Sequence, residues 1–102
     1  MNQARIETRV PAAHPALPGH FPDQPIVPGV VLLAMVHEQA QARLGFSAGA
    51  SQWQRVKFLG PVLPEQILVI ELDGNPERFS FTIELAEGQI VARGQCRHAP
   101  LA

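Results

Sequence analysis

The feature that most constrains the fold of this chain is a helix-forming segment whose first half is apolar around its whole circumference. Proline at its first turn and glycine just beyond its end predict one helix over residues 28–44. Residues 30–36 are all apolar, so the helix has no face that suits water there and is expected to be buried on nearly all sides. Since no second strong helix pattern occurs in the chain, only β-sheet is available to surround it.

The remaining sequence supplies that sheet. Strand patterns occur before the helix at residues 6–10 and after it at residues 52–59, 66–72, 78–85 and 89–98. In the strand at 78–85, large apolar and polar side chains alternate, which indicates one buried face and one exposed face. Turn residues at 73–76 and 87–88 separate the last three strands and favour an antiparallel meander. We therefore predict an α+β hot-dog fold, in which one antiparallel sheet wraps around one long central helix.

Length and composition limit the class of protein. The 102 residues predict a single domain, residues 1–102, and the lone Cys96 excludes an intrachain disulfide. The eight lysine and arginine residues are scattered among the acids, and the net charge is −1, so no nucleic-acid partner is expected. The longest apolar run is far shorter than the roughly 18–20 residues that cross a bilayer. With no signal-peptide pattern and no membrane span, we expect a cytoplasmic protein.

A stiff segment leads directly into the helix. Six of the ten prolines lie within the first 28 residues, and each of them fixes φ and removes a backbone hydrogen-bond donor. His20 lies in this segment, and imidazole is the side chain best suited to accept a proton at neutral pH. The first N–H groups of a helix lack partners and suit a developing negative charge on oxygen. The segment is therefore typical of a site for chemistry.

Two segments carry a resemblance to a known family. Residues 19–30, GHFPDQPIVPGV, closely resemble the signature GHFPxxPxxPGV of the 3-hydroxyacyl-acyl-carrier-protein dehydratases of the FabA/FabZ type. Residues 57–64, KFLGPVLP, are similar to the strand and loop KFxxPVxP of the same family. The likeness covers the chain from about residue 12 onwards, and the chain looks most like the short relatives of aryl-polyene pathways. It implies the hot-dog fold and the dehydration of 3-hydroxyacyl thioesters.

The resemblance implies roles for individual residues. His20 corresponds to the general base that removes the α-proton of the substrate, and Gly29 to the glycine whose N–H polarises the thioester carbonyl. The candidate substrate-binding residues are Phe21, Pro28, Val30 and Phe58. The implied partner is an acyl carrier protein or a coenzyme A thioester. The implied assembly is a homodimer, or a heterodimer with a homologue, whose subunits share the site, and no cofactor is expected.

One position departs from the family pattern. The family places an aspartate or glutamate fourteen residues after the histidine, where this chain has Ala34, which can neither donate a proton nor hold a water. Glu38 lies four residues further along the same helix face and is the candidate replacement for the catalytic acid. His37 is about 60° away from that face and is a weaker candidate. Two alternatives stay open: a catalytically impaired acyl-thioester-binding subunit and a hot-dog thioesterase.

Other chemistry-bearing residues have simpler interpretations. The four histidines show no spacing typical of metal ligands, so no metal site is expected. Cys96 lies on the small, apolar side of its strand and is predicted to be buried in the core. Trp53 and Phe58 are candidates either for the wall of an acyl pocket or for ordinary packing.

Overall fold

The computed structural model describes residues 2–15, 26–46 and 49–100. These residues form β1 Asn2–Thr8, α1 Gly29–Leu44, β2 Gly49–Phe58, β3 Leu68–Gly74, β4 Arg78–Leu85 and β5 Ile90–Pro100. The strands pair antiparallel in one sheet of order β1-β3-β4-β5-β2, and α1 packs on its inner face. The predicted α+β hot-dog fold is confirmed. Within these residues no helix has the length and hydropathy needed to cross a membrane.

Each predicted element is present, and only its ends move. β4 has the predicted bounds, whereas β1 lies at Asn2–Thr8 instead of 6–10 because its full length pairs with β3. β3 begins two residues later than predicted because Gln66 lies in a turn. There its side chain accepts a hydrogen bond from the Leu63 N–H at 2.8 Å. Strand ends therefore follow the backbone ladder and the turns more closely than the alternation of side chains.

Both ends of α1 agree with the sequence analysis. Pro28 is the extended N-cap, and Gly45 closes the helix in the left-handed conformation at φ 75°, with its N–H donating to the Gln41 carbonyl at 3.1 Å. Just before the helix, the Val27 N–H donates to the Val62 carbonyl at 2.8 Å, and both side chains are buried. The start of the helix is thus held against the loop that follows β2.

Within the described ranges, the other elements cover one side of the helix. The side that packs against the sheet consists of Val31, Leu32, Val36, Ala40 and Leu44. On the other side Val30, Ala34 and Glu38 are exposed, and Val30 keeps 73% of its surface accessible to solvent. The prediction that the helix is buried on nearly all sides is wrong for the single chain, because one sheet layer reaches only one side of it.

A β-bulge in β2 decides which of its side chains face the helix. Between Gln54 and Lys57 the strand advances by three residues while its partner β5 advances by two, and Arg55 takes the left-handed conformation at φ 54°. Trp53 and Phe58 are five residues apart, a spacing that would place them on opposite faces of a regular strand. The extra residue brings both onto the inner face, opposite Cys96 and Ala92 respectively.

Candidate active site

The start of α1 lies directly beneath an aromatic ring at the end of β2. A β-carbon on Gly29 would stand 2.6 Å from Cζ of Phe58 and 2.9 Å from Cε2, closer than such atoms approach in proteins. Only glycine therefore fits at residue 29 with the ring in this position. Phe58 remains half-exposed, so one face of the ring covers the helix start and the rest is accessible to a ligand.

Among the described residues, the helix start also offers backbone donors without a hydrogen-bond partner. The N–H groups of Val31 and Leu32 both donate to the Pro28 carbonyl, at 3.0 and 3.3 Å. The N–H groups of Gly29 and Val30 have no hydrogen-bond partner within residues 2–15, 26–46 and 49–100. Such groups carry the positive end of the helix dipole and suit an oxygen atom that gains negative charge.

A shallow groove runs along the exposed side of the helix from this point. It has a volume of about 300 Å³, and its lining residues are His14, Val30, Val31, Ala34, Met35 and Glu38. Ala34 and Glu38 thus share one groove, as their spacing on the helix implies. Sequence reasoning missed His14, which reaches the groove because its N–H donates to the Pro11 carbonyl at 3.0 Å and closes a turn after β1.

The predicted site residues fall into two sets. Gly29, Pro28, Val30, Phe58 and Glu38 lie at the helix start or along the groove, with Pro28 partly buried at the N-cap. His20 and Phe21 lie outside the described residues. The catalytic and substrate-binding roles of all seven residues stay predictions.

His37 does not face the groove but takes part in a separate polar cluster. Its Nε2 lies 3.0 Å from Oγ of Ser51, and the same Oγ lies 2.8 Å from Nδ1 of His98. His98 is buried, and its ring centroid lies 4.3 Å from that of Phe46. Sequence spacing could not indicate this cluster, because Ser51 and His98 meet only through the register of β2 and β5.

Cys96 is fully buried beside this cluster, as predicted for a core residue. Burial raises the pKa of its thiol, and hydrogen bonds with the Ser51 side chain and the Gln52 backbone offset only part of that effect. The thiol is therefore held in its neutral, unreactive form. No group of His, Cys, Asp and Glu side chains in the described part of the chain is arranged to hold a metal ion.

Comparison with known proteins assigns the chain to a family. Residues 1–95 match the sequence profile of the ApeI-like family, described as ApeI dehydratase. The chain belongs to the ApeI-like dehydratase family. This agrees with the resemblance carried by residues 19–30 and 57–64.

Individual relatives support the same relationship. The 3-hydroxyacyl-[acyl-carrier-protein] dehydratase FabZ of Histophilus somni (strain 2336) is 32% identical over 79 residues, which cover 67% of this chain and 50% of that protein. The chain thus spans about half the length of this relative. Among solved structures, the dehydratase heterocomplex ApeI:P from Xenorhabdus doucetiae gives a TM-score of 0.85 at 26% identity and covers 95% of this chain and 87% of its own. The (R)-hydratase from A. caviae gives a TM-score of 0.72 at 17% identity. The match covers 98% of this chain and 95% of the hydratase chain, and at this identity it shows only that the two proteins share a fold.

Proposed function

We propose that this ApeI-like chain is a 3-hydroxyacyl thioester dehydratase that acts on substrates attached to an acyl carrier protein or to coenzyme A. The observation that carries the proposal is the open helix start at Gly29, which lies between the half-exposed ring of Phe58 and the groove that begins at Val30. A thioester oxygen placed there would accept a hydrogen bond from the Gly29 N–H that strengthens as negative charge develops on the oxygen.

Three groups would carry out the reaction: the His20 imidazole, the Gly29 N–H and the Glu38 carboxyl group. His20 takes the α-proton, and the electrons of that C–H bond move towards the thioester carbon, whose oxygen is stabilised by the Gly29 N–H. The bond from the β-carbon to its hydroxyl then breaks, and the hydroxyl leaves as water with a proton supplied by Glu38. The proton on His20 then returns through solvent to Glu38, which restores both groups, and the products are the 2-enoyl thioester and one water. Ala34, which occupies the usual acid position, leaves room in the groove for the longer Glu38 side chain.

We propose that two subunits close the site. Val30 is exposed on the open side of the helix, and Phe58 and Leu59 are half-exposed at the end of β2. β2 is an edge strand of the sheet, so its outer side has no neighbouring strand among the described residues. A second copy that packs against these surfaces would bury their apolar area. Each Å² of apolar surface buried would stabilise the dimer by about 25 cal/mol. The Xenorhabdus relative is described as a heterocomplex, so a homologue is the alternative partner, and that homologue would supply the carboxylate that Ala34 lacks.

The test is turnover of a 3-hydroxyacyl pantetheine thioester by the purified protein, followed by formation of the 2-enoyl product. We expect product from the natural chain and a loss of about 10²-fold or more in kcat for His20→Ala. Gln24→Ala, a change in the same proline-rich segment, is the matched control and keeps activity. Absence of product, or equal rates for the natural chain and His20→Ala, would refute the proposal. Release of free thiol would identify a thioesterase instead.

A further inference from the structure

The groove along the exposed side of α1 has a second wall that comes from outside the helix. His14 supplies it from the turn after β1 and is partly buried there. Of the other lining residues, Glu38 is acidic, and the remaining ones, Ala34 among them, are apolar. Within the described ranges, the His14 imidazole and the Glu38 carboxyl group are therefore the two side chains lining this groove that can carry a proton.

The turn that presents His14 is fixed by its backbone. Glu65 takes the left-handed conformation at φ 69°, which is uncommon for a residue with a side chain. Its N–H donates to the Val10 carbonyl at 2.8 Å, and its Oε1 accepts a hydrogen bond from the Ala12 N–H at 2.8 Å. The His14 N–H then closes the turn on the Pro11 carbonyl at 3.0 Å. These three bonds hold residues 10–14 in one conformation, and strained backbone of this kind is typical of functional segments.

The groove is small enough for a proton to pass between its two walls. Its volume of about 300 Å³ is that of about ten water molecules, at about 30 Å³ each. Two groups that line such a space can meet directly or through a short chain of waters. A hydrogen bond that passes through a water is nearly as favourable as a direct one. A proton can therefore move between His14 and Glu38 without crossing bulk solvent.

The proposed reaction requires such a transfer. Glu38 gives a proton to the departing hydroxyl in each turnover and must regain one before the next. Carboxyl groups in water are largely ionised at neutral pH, whereas imidazole takes up and releases protons in that range. The methyl group of Ala34 can do neither. Among the described residues that line the groove, His14 is thus the one suited to supply the proton.

The charged residues beside the turn are engaged elsewhere. Oε1 of Glu65 accepts the hydrogen bond from Ala12, and Oε2 lies 3.8 Å from Nη1 of Arg9. Neither Glu65 nor Arg9 lines the groove. His37, one residue before Glu38, points instead to Ser51. Within the described part of the chain, the carboxyl group that shares the groove with the imidazole is therefore that of Glu38.

We propose that His14 delivers the proton that recharges Glu38, an inference that rests on the proposed dehydratase function. An N–H bond of the His14 imidazolium breaks, and an O–H bond forms on the Glu38 carboxylate. The neutral imidazole then takes a proton from solvent, which replaces the proton that His20 released there in the same turnover. The cycle gains and loses no net proton. His14 acts through Glu38 and does not touch the substrate, so it is a positioning residue.

The test is steady-state turnover of the 3-hydroxyacyl pantetheine thioester at neutral pH, with and without imidazole in the buffer. We expect His14→Ala to lower kcat at least about tenfold and to leave KM within about twofold, because substrate contacts are unchanged. Free imidazole should raise kcat of His14→Ala about fivefold or more, since it can enter the open groove and carry the proton. His14→Gln can form a hydrogen bond but does not change its protonation state, so it should be as slow as His14→Ala.

The matched control is the same change in a chain that lacks the carboxyl group. In Glu38→Gln, adding His14→Ala should change kcat by less than about twofold, and imidazole should rescue neither variant. Multiplying effects of the two changes would overturn the link between the residues. A slow His14→Ala that imidazole does not rescue, or full activity of His14→Gln, would overturn proton delivery in favour of a structural role.

Two further outcomes separate this inference from the dehydratase itself. Product formation at equal rates by the natural chain and His14→Ala overturns the role of His14 and leaves the function intact. Absence of product from the natural chain refutes the dehydratase function, and proton delivery to Glu38 is refuted with it.

Discussion

The ring of Phe58 lies over the α-carbon of Gly29, and no side chain larger than hydrogen fits between them. The contact joins the last residue of β2 to the first residue of α1. It depends on the bulge at Arg55, which brings Phe58 onto the inner face. The backbone donor at Gly29 and the aromatic wall beside it are therefore positioned by one packing contact.

Gly29→Ala should destabilise the fold by about 1–3 kcal/mol, because the added methyl group must displace the ring. We expect urea denaturation to show this loss and turnover to fall with it. Phe58→Leu in the same chain removes the obstructing ring atoms and should restore most of the stability. If Gly29→Ala is equally destabilising with phenylalanine or leucine at residue 58, the contact is not the reason that glycine is needed.

Ala34→Asp should raise kcat for dehydration by about tenfold or more, because it places a carboxylate in the groove at the position nearer the helix start. Glu38→Gln should lower kcat of the natural chain and have little effect when it is combined with Ala34→Asp. Steady-state rates on the pantetheine thioester give both comparisons. Ala86→Asp, in the exposed turn after β4, is the matched control. Unchanged rates in both groove variants would leave acyl binding as the role of this chain.

Val30→Glu should weaken dimerisation at least about tenfold, because it would bury a charge between the open sides of two helices. Sedimentation velocity over a range of protein concentrations measures the effect. Ile67 is also exposed, at 43% of its surface, but lies beside Thr8 and Arg9 near the opposite edge of the sheet. Ile67→Glu should therefore leave assembly unchanged. A natural chain that stays monomeric at high concentration would contradict the proposed pairing.

Ser51→Ala should lower the free energy of unfolding by about 1–3 kcal/mol, since the buried His98 Nδ1 loses its hydrogen bond to the hydroxyl. The same change removes the link from His37 on α1 to β5. Ser51→Thr keeps a hydroxyl and should be close to the natural chain. Urea denaturation compares the three proteins, and a fully stable Ser51→Ala variant would show that this bridge adds nothing.

The raised pKa of Cys96 predicts a pH dependence of stability. Folding favours the neutral thiol, so it adds to the free energy of unfolding. This contribution is fully present below the pKa of the thiol in the unfolded chain. It is lost as the pH rises through the higher pKa of the folded chain. We expect the difference in urea midpoint between the natural chain and Cys96→Ala to shrink across this alkaline range. A difference that is constant with pH would contradict the effect of burial.

Local signals account for the parts of the fold that the sequence predicts well. Pro28 and Gly45 act on their own backbone, so the ends of α1 could be read directly, and the alternation in β4 gave its bounds. The likeness at residues 19–30 located the helix start as the candidate site.

Two features that the sequence did not predict depend on strand register. One extra residue at Arg55 changes which side chains face the helix, and no local pattern marks it. Cations that are scattered along the chain, such as Lys57 and Arg93, become neighbours only when β2 pairs with β5. The open side of α1 was missed for a different reason: an apolar circumference does not say whether the same chain or another one covers the helix.

The bulge in β2 also limits how this protein can polymerise. Because β2 is an edge strand, it presents a row of unpaired backbone donors and acceptors. A regular row of ten residues would pair with almost any extended chain and would favour fibres. The left-handed residue Arg55 interrupts that row near its middle and adds local twist. Only a strand with a matching irregularity can pair along the full length of β2, so the additional residue limits indiscriminate pairing at this edge of the sheet.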